Sequence, residues 1–277
     1  EEDHLREYKA VLEGMDGKPV TLRTIDIGGD KLPDRDAMIP EMNPFMGVRG
    51  IRLCLARPEM FRIQLRAILL AAAGREVSIM IPMVSTLKEV RAARQILNNI
   101  TEILKGAGHE LPSKVWFGAM VEIPSAALLT PQLCKEVDFL SIGTNDLVQY
   151  TLAVDRVNKT VAHLYRQTHP AVFKLIKLVV DGAKPTSTPV SVCGEMASDP
   201  RLALVLMGLG IRTLSMGPAS IGVVKSAVRK ASLKAAQKLA HQVLDCTTSD
   251  DVEGLLRENL GGLLAKTSTP SPVPDVS

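Results

Sequence analysis

The chain has 277 residues, 46% of them hydrophobic, with 33 Lys and Arg against 30 Asp and Glu for a net charge of +3 at pH 7. Near-neutral charge and only nine aromatics (five Phe, three Tyr, one Trp) exclude a nucleic-acid surface, which asks for a basic field interleaved with stacking rings. No run approaches the roughly 18 apolar residues that cross a bilayer, and the opening EEDHLREYK is charged where a signal peptide would be apolar, so no membrane span and a cytoplasmic location are expected.

Residues 1–15 carry Leu5, Tyr8, Leu12 and Met15 at helical spacing, and Asp16-Gly17-Lys18-Pro19 stops them. A β-rich run, 20–26 (VTLRTID), leads into a long polar loop, 27–45, of the length that usually carries function. A short strand is expected at 48–53, then helices over 57–73 and 85–105 on either side of the apolar run 77–83 (VSIMIPM). The alternation continues with strand 115–122 (VWFGAMVE), helix 125–136, strand 138–144, helix 171–182, strand 189–195, helix 200–209 and strand 213–216. Helical patterns at 219–230, 233–244 and 249–264 precede a Ser/Thr/Pro tail, 267–277, too poor in apolar groups to pack.

Continuous apolar strands alternating with helices imply a parallel sheet covered on both faces. The expected fold is α/β, a TIM-type (β/α)8 barrel, with seven strand candidates for eight positions. Active sites of such barrels lie at the carboxyl ends of the strands. Two acids stand there, Glu122 after AMV and Asp146 after SIGTN, with Asn145 beside the second. They read either as a sparse oxygen site of the kind that holds magnesium together with a ligand phosphate, or as caps of the following helices.

Arg23 inside an apolar strand, Arg49 between Val48 and Gly50, and Arg156 beyond the Asp146 loop could hold an anion with their planar donor forks, or make structural ion pairs. Arg66 lies mid-helix in IQLRAIL and could simply snorkel. Cys193 and Glu195 end the run VSVCGEM, where a buried structural thiol and a helix cap are the plain readings. The four cysteines (Cys54, Cys134, Cys193, Cys246) form no C-x-x-C pair, which fits a reducing compartment. Gly28-Gly29-Asp30-Lys31 lacks Walker spacing and reads as a turn beside a ligand.

RTIDIGGDK (23–31), NPFMGVRGIR (43–52), QLRAIL, MVEIP (120–124), SIGTNDLVQYTLAVDR (141–156) and VCGEMASDP (192–200) together resemble, in the same order, the C-terminal domain of enzyme I of the phosphoenolpyruvate-dependent phosphotransferase system. MVEIP departs at Ile123, where threonine is common, and Val148 is a second departure; neither removes a chemical group. The resemblance implies a barrel that binds phosphoenolpyruvate with Mg2+ and passes the phosphoryl group to a histidine on a separate domain. It implies Arg23, Arg49, Asn145 and Arg156 as phosphoenolpyruvate ligands, Glu122 and Asp146 as magnesium ligands, and Cys193 as the acid that protonates the enolate.

It also implies a homodimer, an N-terminal phospho-histidine domain as partner and, through it, the small histidine-carrier protein. Residues 1–19 are then expected to be the end of a linker helix from a missing N-terminal part, 20–266 the binding and dimerisation barrel, and 267–277 a disordered tail. Two other readings stay open: an isolated phosphoenolpyruvate-binding and dimerisation module with a regulatory role, and the C-terminal domain of a pyruvate phosphate dikinase or phosphoenolpyruvate synthase, which share the barrel and the GxRGxR-like motif.

Overall fold

A computed structural model describes residues 1–27 and 43–264, the last five by backbone alone. Most of the 27–45 loop, including Gly28 to Lys31, and the 267–277 tail lie outside the described residues.

Six parallel strands form one sheet in sequence order: β1 (Thr21–Arg23), β2 (Glu76–Ile81), β3 (Lys114–Val121), β4 (Phe139–Gly143), β5 (Val190–Cys193) and β6 (Thr213–Ser215). Sequential order with a helix in most crossovers is the arrangement of a TIM-type (β/α)8 barrel, and the fold is of that α/β class. Among the described residues the ladder is open, with β1 and β6 as its edges. The strand expected at 48–53 is instead a single bridge residue, Arg49, followed by helix α2 (Gly50–Ala56). Gly50 takes φ +53°, a left-handed turn that ends the extended run after one residue.

Helix α1 (Glu2–Gly14) packs on α3 (Pro58–Ala71), as its apolar spacing predicts, and puts Leu12 into the main core. A buried polar chain ties the two together: Gln64 Nε2 donates to Tyr8 Oη at 2.9 Å, and Gln64 Oε1 accepts the Ile25 N–H at 3.0 Å. Helix α4 (Leu87–Gly106) opens with a capping box in which Thr86 Oγ1 accepts the Glu89 N–H and Glu89 accepts that of Thr86, an arrangement worth about 1 kcal/mol.

The helix expected over 125–136 is two short ones, α5 (Pro124–Leu128) and α6 (Thr130–Leu133). Pro131, which has no N–H, restarts the second as its own first turn. The strand expected over 138–144 ends at Gly143, and helix α7 (Thr144–Leu152), not among the expected elements, begins at the next residue. The remaining helices are α8 (Pro170–Ala183), α9 (Glu195–Ser198), α10 (Pro200–Leu209), α11 (Pro218–Lys230), α12 (Leu233–Asp245) and α13 (Ser249–Leu264). Phe61, Phe117 and Phe173 are among the largest fully buried side chains, and each contributes on the order of 2–3 kcal/mol of burial. No described helix is long and apolar enough to cross a membrane.

Candidate active site

The seven residues to which the resemblance gives a role, Arg23, Arg49, Glu122, Asn145, Asp146, Arg156 and Cys193, line one cavity of about 660 Å3 at the carboxyl ends of the strands. Arg23 closes β1 and Cys193 closes β5, Glu122 follows β3, and Asn145 and Asp146 form the first turn of α7. The parallel register places Gly143 beside Cys193, so the α7 turn and the thiol are neighbours. A helix start aims backbone N–H groups and the positive end of its dipole into the cavity.

Backbone without side chains makes room for this convergence. A Cβ on Gly143 would stand 2.6 Å from Glu122 Oε2, and one on Gly50 would stand 2.8 Å from Met83 Cβ and 3.2 Å from Asp26 Oδ1. Glu122 is 2% exposed and its Oε1 accepts the Met83 N–H at 2.6 Å. Burial and then the Asp146 charge push its carboxyl well above the usual range, against the Met83 bond. Neither acid caps a helix: α5 and α7 have no side-chain cap, and Asp146 sits within the first turn of α7.

Arg49 Nη2 lies 3.4 Å from Asp146 Oδ2, and Arg156 Nη2 lies 3.8 Å from Asp146 Oδ1. Burial works against the Arg49 charge, but its bonds to Asp26 and the fields of Asp26 and Asp146 outweigh that and raise its pKa. Cys193 Sγ accepts from Ser141 Oγ at 3.6 Å and donates to the Ile142 carbonyl at 3.5 Å. Burial raises its thiol pKa, with Ser141 acting in the opposite sense.

A third acid joins the pair. Carboxylate oxygens of Asp26, Glu122 and Asp146 lie within 4.8 Å of one another, and Asp146 Oδ1 is buried without a hydrogen-bond partner. Converging buried carboxylates, one with an oxygen that accepts no hydrogen bond, fit a hard divalent cation with oxygen ligands.

A family model described as PEP-utilising enzyme, PEP-binding domain matches residues 1–233. The chain belongs to this phosphoenolpyruvate-utilising family. It is 45% identical over 258 residues to the phosphoenolpyruvate-protein phosphotransferase of Listeria monocytogenes, covering 93% of this chain and 45% of that one. The protein of the same name from Staphylococcus carnosus is 45% identical over 259 residues, again covering 93% and 45%, and that from Bacillus subtilis 43% over 258, also covering 93% and 45%. The chain thus spans a little under half the length of these curated relatives. A solved citrate lyase from Burkholderia xenovorans superposes with a TM-score of 0.46 at 17% identity, over 76% of this chain and 71% of that one, a likeness too slight to carry an argument.

Two other sequence candidates of this phosphoenolpyruvate-utilising chain point elsewhere. Arg66 pairs with Glu1, the residue before α1, at 3.2 Å, outside the cavity. Glu195 accepts from Gln167 Nε2 at 2.7 Å, and its backbone N–H donates to Asn145 Oδ1 at 3.0 Å, which fixes the amide beside the cavity. Asp26 was missed, although the rule that selected Glu122, an acid just past an apolar strand, also selects the last residue of VTLRTID.

Proposed function

We propose that the chain is the phosphoenolpyruvate-binding catalytic domain of a phosphoenolpyruvate-protein phosphotransferase, acting in the cytoplasm. The carrying observation is the convergence of three arginines, Asn145, the acids and a thiol on one cavity in a member of this family. The names of the curated relatives favour this over the dikinase and synthase readings.

In this reading Arg23, Arg49 and Arg156 bind the phosphate and carboxylate of phosphoenolpyruvate, and Asn145 orients it with its amide. Forked guanidinium donors suit both groups and do not titrate away. Glu122 and Asp146 would hold Mg2+, which when bound neutralises charge on the phosphoryl oxygens. Phosphoryl transfer asks mainly for such positioning and charge balance. The P–O bond to the enol oxygen breaks, and the phosphoryl group bonds to a histidine nitrogen on a separate domain. The enolate left behind takes a proton at its methylene carbon from Cys193, giving pyruvate; the thiolate recovers its proton from solvent. The raised thiol pKa keeps that proton in place until it is needed.

The partners proposed are that histidine domain, the small histidine-carrier protein reached through it, and a second copy in a homodimer. Calorimetric titration with phosphoenolpyruvate, with and without Mg2+, tests the binding. Mixing with a separately produced histidine domain tests transfer. Phosphorylation of that domain supports the catalytic reading; binding without transfer supports a binding and dimerisation module instead.

A further inference from the structure

We propose that Asp26 is a positioning residue of this site, holding the Arg49 guanidinium in the orientation that receives the anionic ligand. The inference rests on the function proposed above. The Asp26 side chain is 4% exposed and pairs with Arg49 along an edge: Arg49 Nε donates to Oδ1 at 3.2 Å, and Nη2 to Oδ1 at 3.1 Å and to Oδ2 at 3.0 Å. Arg23 Nη1 is 3.6 Å from the same Oδ2, so one buried carboxylate lies between two of the cavity's arginines. A paired, rigid fork presents its remaining donors in one direction, and less freedom is lost when a ligand binds.

The geometry gives Asp26 a second consequence. Arg49 Nη2 already reaches Asp146 Oδ2 at 3.4 Å. Without Asp26, Asp146 is the carboxylate left for Arg49, and the guanidinium would settle on an acid proposed to hold the cation. Asp26 therefore keeps Arg49 and the cation from competing. Although its oxygens lie near Glu122 and Asp146, both are engaged by Arg49, which favours positioning over coordination. The backbone leading from β1 to Asp26 is itself fixed: Thr24 N–H donates to the Met80 carbonyl at 2.9 Å and Ile25 N–H to Gln64 Oε1 at 3.0 Å.

The sign of the effect separates this role from simple electrostatics. Removing a negative charge from an anion site tightens binding by Coulomb attraction alone; loss of positioning weakens it. The test uses the full chain and the variants Asp26→Asn, Arg49→Gln and the double variant, with phosphoenolpyruvate followed by 31P NMR in saturating Mg2+ and Mn2+ binding followed by electron paramagnetic resonance without phosphoenolpyruvate. Asp26→Asn is expected to weaken phosphoenolpyruvate binding about tenfold, the scale of one hydrogen bond to a charged group. It should weaken Mn2+ affinity by no more than about tenfold, because Arg49 turns to Asp146 but no proposed ligand is lost. In the Arg49→Gln background the same change should alter phosphoenolpyruvate affinity by less than about twofold, because the pair acts as a unit.

Unchanged or tighter binding in Asp26→Asn, an equal penalty in both backgrounds, or loss of Mn2+ binding with the fold intact by circular dichroism overturns the assignment. Asp26→Ser, with the same expectations, replaces Asp26→Asn if that variant does not fold. A wild-type chain that binds no phosphoenolpyruvate overturns the proposed function and this inference with it, whereas failure of the variants alone overturns only the role of Asp26.

Discussion

Glu122 bonds the backbone of Met83 at 2.6 Å, and Met83 itself occupies the left-handed region at φ +59°. A buried carboxylate thus holds a strained turn after β2 while presenting its other oxygen to the cavity. The two tasks separate by substitution. Glu122→Gln keeps an amide oxygen for the Met83 N–H and removes a charge repelled by Asp146, so the melting temperature should be unchanged or higher. Mg2+-dependent phosphoenolpyruvate binding should disappear. Calorimetry showing equal Mg2+ dependence in the variant would contradict the assignment.

Cys193→Ala should retain phosphoenolpyruvate binding and slow pyruvate formation in a system reconstituted with the histidine domain. A general acid contributes typically 10²–10⁴-fold, so a loss of about a hundredfold is expected. Unchanged turnover would remove the thiol from the mechanism.

Burial raises the Cys193 thiol pKa above its ordinary value of 9.0, so the reactive thiolate is scarce at neutral pH. Alkylation of Cys193 by iodoacetamide, followed by peptide mass spectrometry, should be slow at pH 7 and climb through and beyond pH 9. Phosphoenolpyruvate with Mg2+ should protect it. Fast labelling at pH 7 would show the thiol to be activated.

Gly143→Ala places a methyl carbon 2.6 Å from Glu122 Oε2 and 2.9 Å from Met120 Sδ. Overpacking of this kind costs about 1–3 kcal/mol, and the relief open to the chain is to move Glu122. Lower stability in urea together with lost Mg2+ dependence is expected. A variant with lost stability and wild-type Mg2+ dependence would show that Glu122 is not the group displaced.

Thr86→Ala provides the contrast. It removes the α4 cap, which does not line the cavity, and should cost about 1 kcal/mol with phosphoenolpyruvate affinity unchanged. A change in affinity would show that the cap acts on the site through the Met83 turn that Glu122 holds.

The site was legible because it obeys a positional rule: chemistry follows apolar strands, and Arg23, Glu122, Asp146 and Cys193 each stand at such an end. Roles for the arginines and the thiol came from resemblance, since an arginine in a strand is equally compatible with a structural pair. Arg49 shows both outcomes at once, bonded to Asp26 and facing the cavity. Asp26 stands just past the same kind of strand, but its bond to Arg49 joins residues 23 apart in the chain and leaves no pattern in the sequence. Elements were less legible where one residue changes the backbone. Gly50 turned a strand into a bridge, Pro131 divided a helix, and after Gly143 a helix begins that was not among the expected elements.

Tyr8 on α1 takes a hydrogen bond from Gln64, whose carbonyl holds the N–H of Ile25, the residue before Asp26. Helix α1 is therefore wired through two bonds to the residue next to Asp26, which lines the cavity. A chain trimmed to start at Val20 would leave a nearly buried amide with an idle donor and uncover the core around Leu12. Helix α1 is thus a strut, and removing it would loosen the strand end that aims the arginines.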